Sequence, residues 1–192
     1  MYKKLKFLFF YLQTAEVCGI IILLYYAIRA KRGETMRIIG IDPGYAIVGY
    51  GVVEYVSGKF KTSDYGAIRT DAKTGFDRRL EEIHLDLSQI LDEYKPQFMA
   101  LEKIFFTTNQ KTAIDVAQAR GVIILTARTR GIEIVEYTPL QVKSAVTGYG
   151  KATKKQIQEM TARILGLGAI PKPDDAADAL AVAICLAHSY RR

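Results

Sequence analysis

The sequence predicts an α/β fold, a mixed five-stranded sheet with helices on both faces. Three observations predict it. Three strand-like runs, the second rich in Val, Ile and Tyr, follow one another across short turns from residue 37 to residue 69. Two further apolar runs, at 97–102 and 132–137, alternate with segments whose apolar residues recur every three or four positions. After the last of these the chain is helical in period as far as residue 188. Strands joined by tight turns pair antiparallel, whereas strands joined through helices run parallel and must be covered.

Each element has its own local signal. Residues 37–42 (RIIGID) are a short apolar run closed by Pro43-Gly44, and they read as a buried strand and a turn. Residues 47–56 form a second strand punctuated by Ser57-Gly58, and 60–69 form a third. Over 75–94 the period changes: Phe76, Leu80, Ile83, Leu87, Ile90, Leu91 and Tyr94 line one face of a helix that Pro96 stops. A fourth strand covers 97–102. A second helix covers 110–129, with Ile114, Ala117, Gly121, Ile124 and Leu125 toward one side, and Gly131 ends it. A fifth strand covers 132–137. Then come a short helix at 139–146, a Gly-rich loop at 148–151, a helix at 153–165, breaks at Gly166, Gly168 and Pro171, and a last helix over 174–188. Three antiparallel strands followed by two helix-linked strands make the ribonuclease H-like order.

Domain organisation is read as a nuclease-sized unit over 36–192 with an apolar extension over 1–35. The 192 residues suit one core, and two cysteines and two lone histidines leave no zinc-type spacing. A reducing, cytoplasmic setting is expected. Net charge is +7, but residues 1–35 carry six basic against two acidic side chains, so the domain itself holds only +3. Charge alone is therefore a weak argument for nucleic acid. Residues 5–28 are long and apolar enough to span a bilayer, yet Glu16 would lie near its centre, and no small-residue cleavage pattern follows. Met36 directly precedes the first strand and reads as the start of the functional chain. A membrane is a partner only if residues 1–35 are translated and inserted.

Acids stand at element ends. Asp42 closes the first strand and Glu102 the fourth, at the rim where open α/β sheets place their sites. Asp174, Asp175 and Asp178 open the last helix, and Asp175 and Asp178, three apart, share a face. Carboxylates that converge are what divalent-cation hydrolysis of a phosphodiester needs. Taken singly, Asp42 could cap its own turn, and acids in a first helical turn could only complement the dipole. The second account suits Asp178 least, because a continuous apolar run follows it.

Several segments resemble one family in order. Ile39-Gly40-Ile41-Asp42-Pro43-Gly44 with Gly49-Tyr50-Gly51 resembles the opening of bacterial RuvC resolvases. So do Leu101-Glu102-Lys103-Ile104-Phe105-Phe106, then Gln118-Ala119-Arg120-Gly121, then Tyr137-Thr138-Pro139 with Gln141-Val142-Lys143, and Asp174-Asp175-Ala176-Ala177-Asp178-Ala179-Leu180-Ala181. The resemblance covers 36–192 and has no counterpart for 1–35. It implies an endonuclease that resolves Holliday junctions, with Asp42, Glu102, Asp175 and Asp178 as catalytic residues and ligands of two Mg²⁺ per subunit, Mn²⁺ being a possible substitute. It implies Phe105 stacking on an unpaired base, and Lys143 and Lys154 on phosphates. Its expected partners are four-way junction DNA, a second copy of the chain docked through helix 110–130, and a RuvA–RuvB branch-migration complex. Other nucleases of the same fold would share the acids but not Phe105 with Gln118–Gly121. An actin-like nucleotide-binding domain would need about twice the length. A junction-binding protein without activity would not need all four acids.

Overall fold

The structure, a computed structural model, describes residues 35–104 and 110–189. Five strands, β1 (Met36–Asp42), β2 (Ile47–Val56), β3 (Lys59–Arg69), β4 (Phe98–Glu102) and β5 (Glu133–Tyr137), form one sheet in the order β3-β2-β1-β4-β5. The first three pair antiparallel, and β1–β4 and β4–β5 pair parallel. Five helices accompany them: α1 (Phe76–Tyr94), α2 (Gln110–Arg128), α3 (Pro139–Thr147), α4 (Lys154–Leu165) and α5 (Asp174–Ser189). The ribonuclease H-like, mixed five-stranded arrangement follows the order expected from the sequence, with element ends within one residue of those expected.

Alternation along the strands sorts the core into two layers. Ile38, Val53, Phe98 and Ala100 face α3, α4 and α5, while Ile39, Ile41, Val52, Met99 and Leu101 face α1 and α2. Helix α5 lies directly on β1 and β2, and α3 and α4 back it. It is therefore covered on all sides, and eleven of its sixteen residues are buried. That burial explains its Ala-rich, nearly uninterrupted apolar sequence.

Local chemistry sets the helix ends. Thr138 caps α3 and Thr153 caps α4, each in a reciprocal box with the glutamine three residues on. Gly148 and Gly166 close these helices in the left-handed region that glycine enters freely. Lys95 ends α1 with φ 46°, its N–H donating to the Leu91 carbonyl, and Pro96 follows.

For helix α2 the sequence left open which side meets the sheet. Its core side is Ala119, Ile123 and Ala127, which pack against the sheet. Of the residues expected together on one apolar side, Ile114, Ala117, Gly121 and Leu125 face outward, whereas Ile124 is partly buried against the core. Ile114 is 69% and Leu125 63% exposed, and a Cβ built on Gly121 would meet open space. The helix is apolar on two sides, so the period reveals a stripe without saying which stripe is buried. Among the described residues no helix is long and apolar enough to cross a membrane; the apolar run at 5–28 lies outside them.

Candidate active site

The sheet brings Asp42 and Glu102 together. Ile38 and Ala100 face the α5 layer, and side chains two apart share a face, so Asp42 and Glu102 belong to that layer too. Strands β1 and β4 are parallel neighbours in the register Ile41↔Leu101, which sets the next pair, Asp42 and Glu102, side by side at the carboxyl ends. Parallel neighbours lie about 4.8 Å apart. The two acids thus share one edge of one face.

Glycines bring the helix acids to the same place. Asp42 pairs with Gly49 on β2. A Cβ on Gly49 would lie 2.0 Å from the Asp175 carbonyl oxygen, and one on Gly40 would lie 2.0 Å from that of Ala179. Any side chain at either position would push α5 off the sheet. The first turn of α5 therefore sits against the strand position beside Asp42. Asp178 lines an open cleft with Glu102, Lys143, Lys154, Pro139, Val142, Ile157 and Val182.

The electrostatics record this convergence. The Asp42 carboxyl is pushed up to about 7, first by burial and then by the charges of Glu102, Asp178 and Asp175, with Lys154 opposing. Glu102 is also raised, by burial and by Asp178, and Lys143 opposes. Asp178 is raised by burial, although its bond to Lys154 works the other way. Asp174 behaves differently. It is exposed, bonded to Lys172 at 3.2 Å, and held below the usual carboxylate range chiefly by that bond. The two opening aspartates thus separate into an outer Asp174 and an inner Asp175 whose charge is felt by Asp42.

Lys154 bridges the helices. Its ammonium lies 3.0 Å from Asp178 and 3.8 Å from Asp174. Among the described residues no three His, Cys, Asp or Glu side chains are drawn close enough to hold an ion as they stand. Four carboxylates repel one another, and two lysines supply only part of the countercharge. The donors are hard oxygens, and the raised proton affinity of Asp42 reflects its burial first and then the neighbouring negative charges. That is the chemistry a divalent cation fits.

Comparison with known proteins places this geometry. The family described as crossover junction endodeoxyribonuclease RuvC matches residues 38–186. The RuvC of Alkaliphilus metalliredigens is 56% identical over 154 residues, 80% of this chain and 94% of that protein. The RuvC of Fusobacterium nucleatum is 55% identical over 153 residues, 80% of each chain. The chain belongs to the RuvC family. Among solved structures, T. thermophilus RuvC in complex with a Holliday junction substrate superimposes with a TM-score of 0.77 at 33% identity, covering 81% of this chain and 95% of that one.

In this RuvC-family chain, Phe105 lies outside the described residues, so its expected role in base stacking has no structural counterpart here. A cluster of three residues at the loop that leaves Asp42 (Arg79, Tyr45 and Thr70) escaped the sequence reading. Arg79 is buried on α1, its guanidinium 4.6 Å from the Tyr45 ring centre and its Nε donating to Thr70 Oγ1 at 2.8 Å. The Thr70 hydroxyl in turn donates to the Tyr45 carbonyl, and the Thr70 N–H to that of Ala46. The loop that leaves Asp42 is thereby tied to α1 and β3. The available signal was a basic residue four positions before Ile83, on the apolar side of a helix.

Proposed function

We propose that this protein is a metal-dependent endonuclease that resolves Holliday junctions by paired symmetric nicks, leaving 5′-phosphate and 3′-hydroxyl ends, in homologous recombination and DNA repair. The observation that carries the reading is the meeting of Asp42, Glu102, Asp175 and Asp178 at one sheet edge, flanked by Lys143 and Lys154, in a RuvC-family chain. The functional unit is residues 36–192, with 1–35 as an apolar extension.

Asp42, Glu102, Asp175 and Asp178 would hold two Mg²⁺ per subunit, with Mn²⁺ able to substitute. When bound, the ions supply Lewis acidity at the scissile phosphate and countercharge for the departing oxygen. The protein's own groups do the rest. Lys143 lines the cleft beside Glu102 and is placed to draw in a phosphate. Lys154 exchanges its bond to Asp178 for a phosphate oxygen as substrate arrives. Among the described residues no histidine lines the cleft, so deprotonation of the attacking water is assigned to the carboxylate site.

Symmetric nicking needs two sites. The outward stripe of Ile114, Ala117, Gly121 and Leu125 on α2 supports a homodimer, because small residues between large apolar ones let two helices approach closely. The working partners are four-way junction DNA and a RuvA–RuvB motor, in the cytoplasm.

The test is cleavage of a synthetic, centrally mobile four-way junction, with and without Mg²⁺, beside Asp42→Asn. Paired nicks that require metal and vanish in the variant are expected. Junction binding without cleavage in any metal would defeat the nuclease reading.

A further inference from the structure

Beside the acidic cleft lies a surface that none of the roles above uses. Tyr149 is 59% and Leu140 62% exposed. They belong to one patch. A Cβ on Gly150 would lie 2.5 Å from Leu140 Cδ1, so the loop after α3 rests against the Leu140 side chain. The patch also borders the cleft, because Pro139, Val142 and Lys143, all lining it, belong to the same helix as Leu140.

The loop holds Tyr149 outward on a fixed backbone. Its N–H donates to Thr147 Oγ1 at 3.2 Å, and its carbonyl accepts from the Ala152 N–H at 3.2 Å. Gly148 before it turns through φ 72°. An exposed aromatic on a tied backbone loses little freedom on contact. The segment itself is of one sign: residues 139–155 contain Lys143, Lys151, Lys154 and Lys155 and no acid. An exposed aromatic and aliphatic pair on a lysine-rich segment, beside a cleft that Lys143 and Lys154 line, matches the two surfaces of a nucleotide, its flat base and its charged backbone.

We infer that Tyr149, supported by Leu140, stacks on an exposed base of the four-way junction and thereby selects junctions over continuous duplex. The inference rests on the nuclease reading above. Stacking requires an accessible base face, which the branch point offers and an intact duplex does not. It is also indifferent to base identity.

Binding to a four-way junction and to linear duplex, each in EDTA so that nothing is cut, tests this for the whole protein, Tyr149→Phe and Tyr149→Ser. Base–aromatic stacking of 1–3 kcal/mol, at 1.4 kcal/mol per decade, predicts a loss of about 5- to 140-fold in junction affinity for Tyr149→Ser. Duplex affinity and the salt dependence of junction binding should stay unchanged, and Tyr149→Phe should bind as the parent does. A parent that prefers junctions beside a Tyr149→Ser protein within twofold of it overturns the stacking role alone. So does an equal loss on both DNAs. A parent that does not prefer junctions overturns the nuclease reading and this inference together.

Discussion

Asp42 is held in a place that does not suit a carboxylate without a cation. Its folded-state value of about 7 exceeds the ordinary 3.8, so folding favours the protonated form. The metal-free protein must therefore lose stability as pH rises from about 4 through about 7, with a ceiling near 4 kcal/mol. Asp42→Asn removes that penalty. Its thermal midpoint without metal should exceed the parent's by several degrees at pH 8 and converge with it by pH 4, as calorimetry would show. Mg²⁺ should raise the parent's midpoint more at pH 8 than at pH 5.5, and barely move the variant's. A parent whose stability is flat over this range would mean that neither burial nor the neighbouring acids raise Asp42. Gly40 and Gly49 lie at the opposite extreme, where the smallest side chain is too large. Gly49→Ala should cost at least the 1–3 kcal/mol typical of overpacking, read from a denaturant midpoint, and should lower cleavage by displacing Asp175.

Among the elements, α2 shows where sequence pattern stops being informative. Periodicity located the helix and its apolar residues correctly. The stripe of 114, 117, 121, 124 and 125 could have met either the sheet or a second copy; the buried set is 119, 123 and 127, with Ile124 packed beside it. Both stripes satisfy helical spacing, and only the position of the sheet decides between them. Helix α1 presented no such ambiguity, because its outer side is polar, and Ile83, Leu87 and Leu91 are buried as expected. If the outer stripe of α2 joins two copies, Leu125→Glu should give a monomer in sedimentation while changing thermal stability of that monomer by no more than about 0.5 kcal/mol. A dimer that survives the substitution would move the interface elsewhere. Helix α3 offers a simpler case: Thr138→Ala should cost about 1 kcal/mol through loss of its capping box.

Across the whole molecule, the order of elements was legible because each one carries a local signal: a β-branched run, a period, a proline or a glycine. The four carboxylates were legible because three elements place acids at their ends. Their convergence was not, since it depends on the parallel register of β1 with β4 and on two glycines that admit α5, neither of which spacing expresses. The tie from Arg79 to Tyr45 was invisible for the same reason, being a contact between residues far apart in the chain. Helix α5 joins these two kinds of information, since its composition announces burial while its partners come from strands more than a hundred residues earlier.

That placement of α5 bears on how the protein is made. All five strands leave the ribosome before Asp174 does. Until α5 follows, Ile38, Val53 and Phe98 have lost most of their cover, and Asp175 and Asp178 do not yet exist. A nascent or prematurely ended chain thus lacks two of the four proposed cation ligands and much of its core. Quality-control proteases, which act on exposed apolar chain, should remove it, so that no partly synthesised nuclease accumulates beside the chromosome.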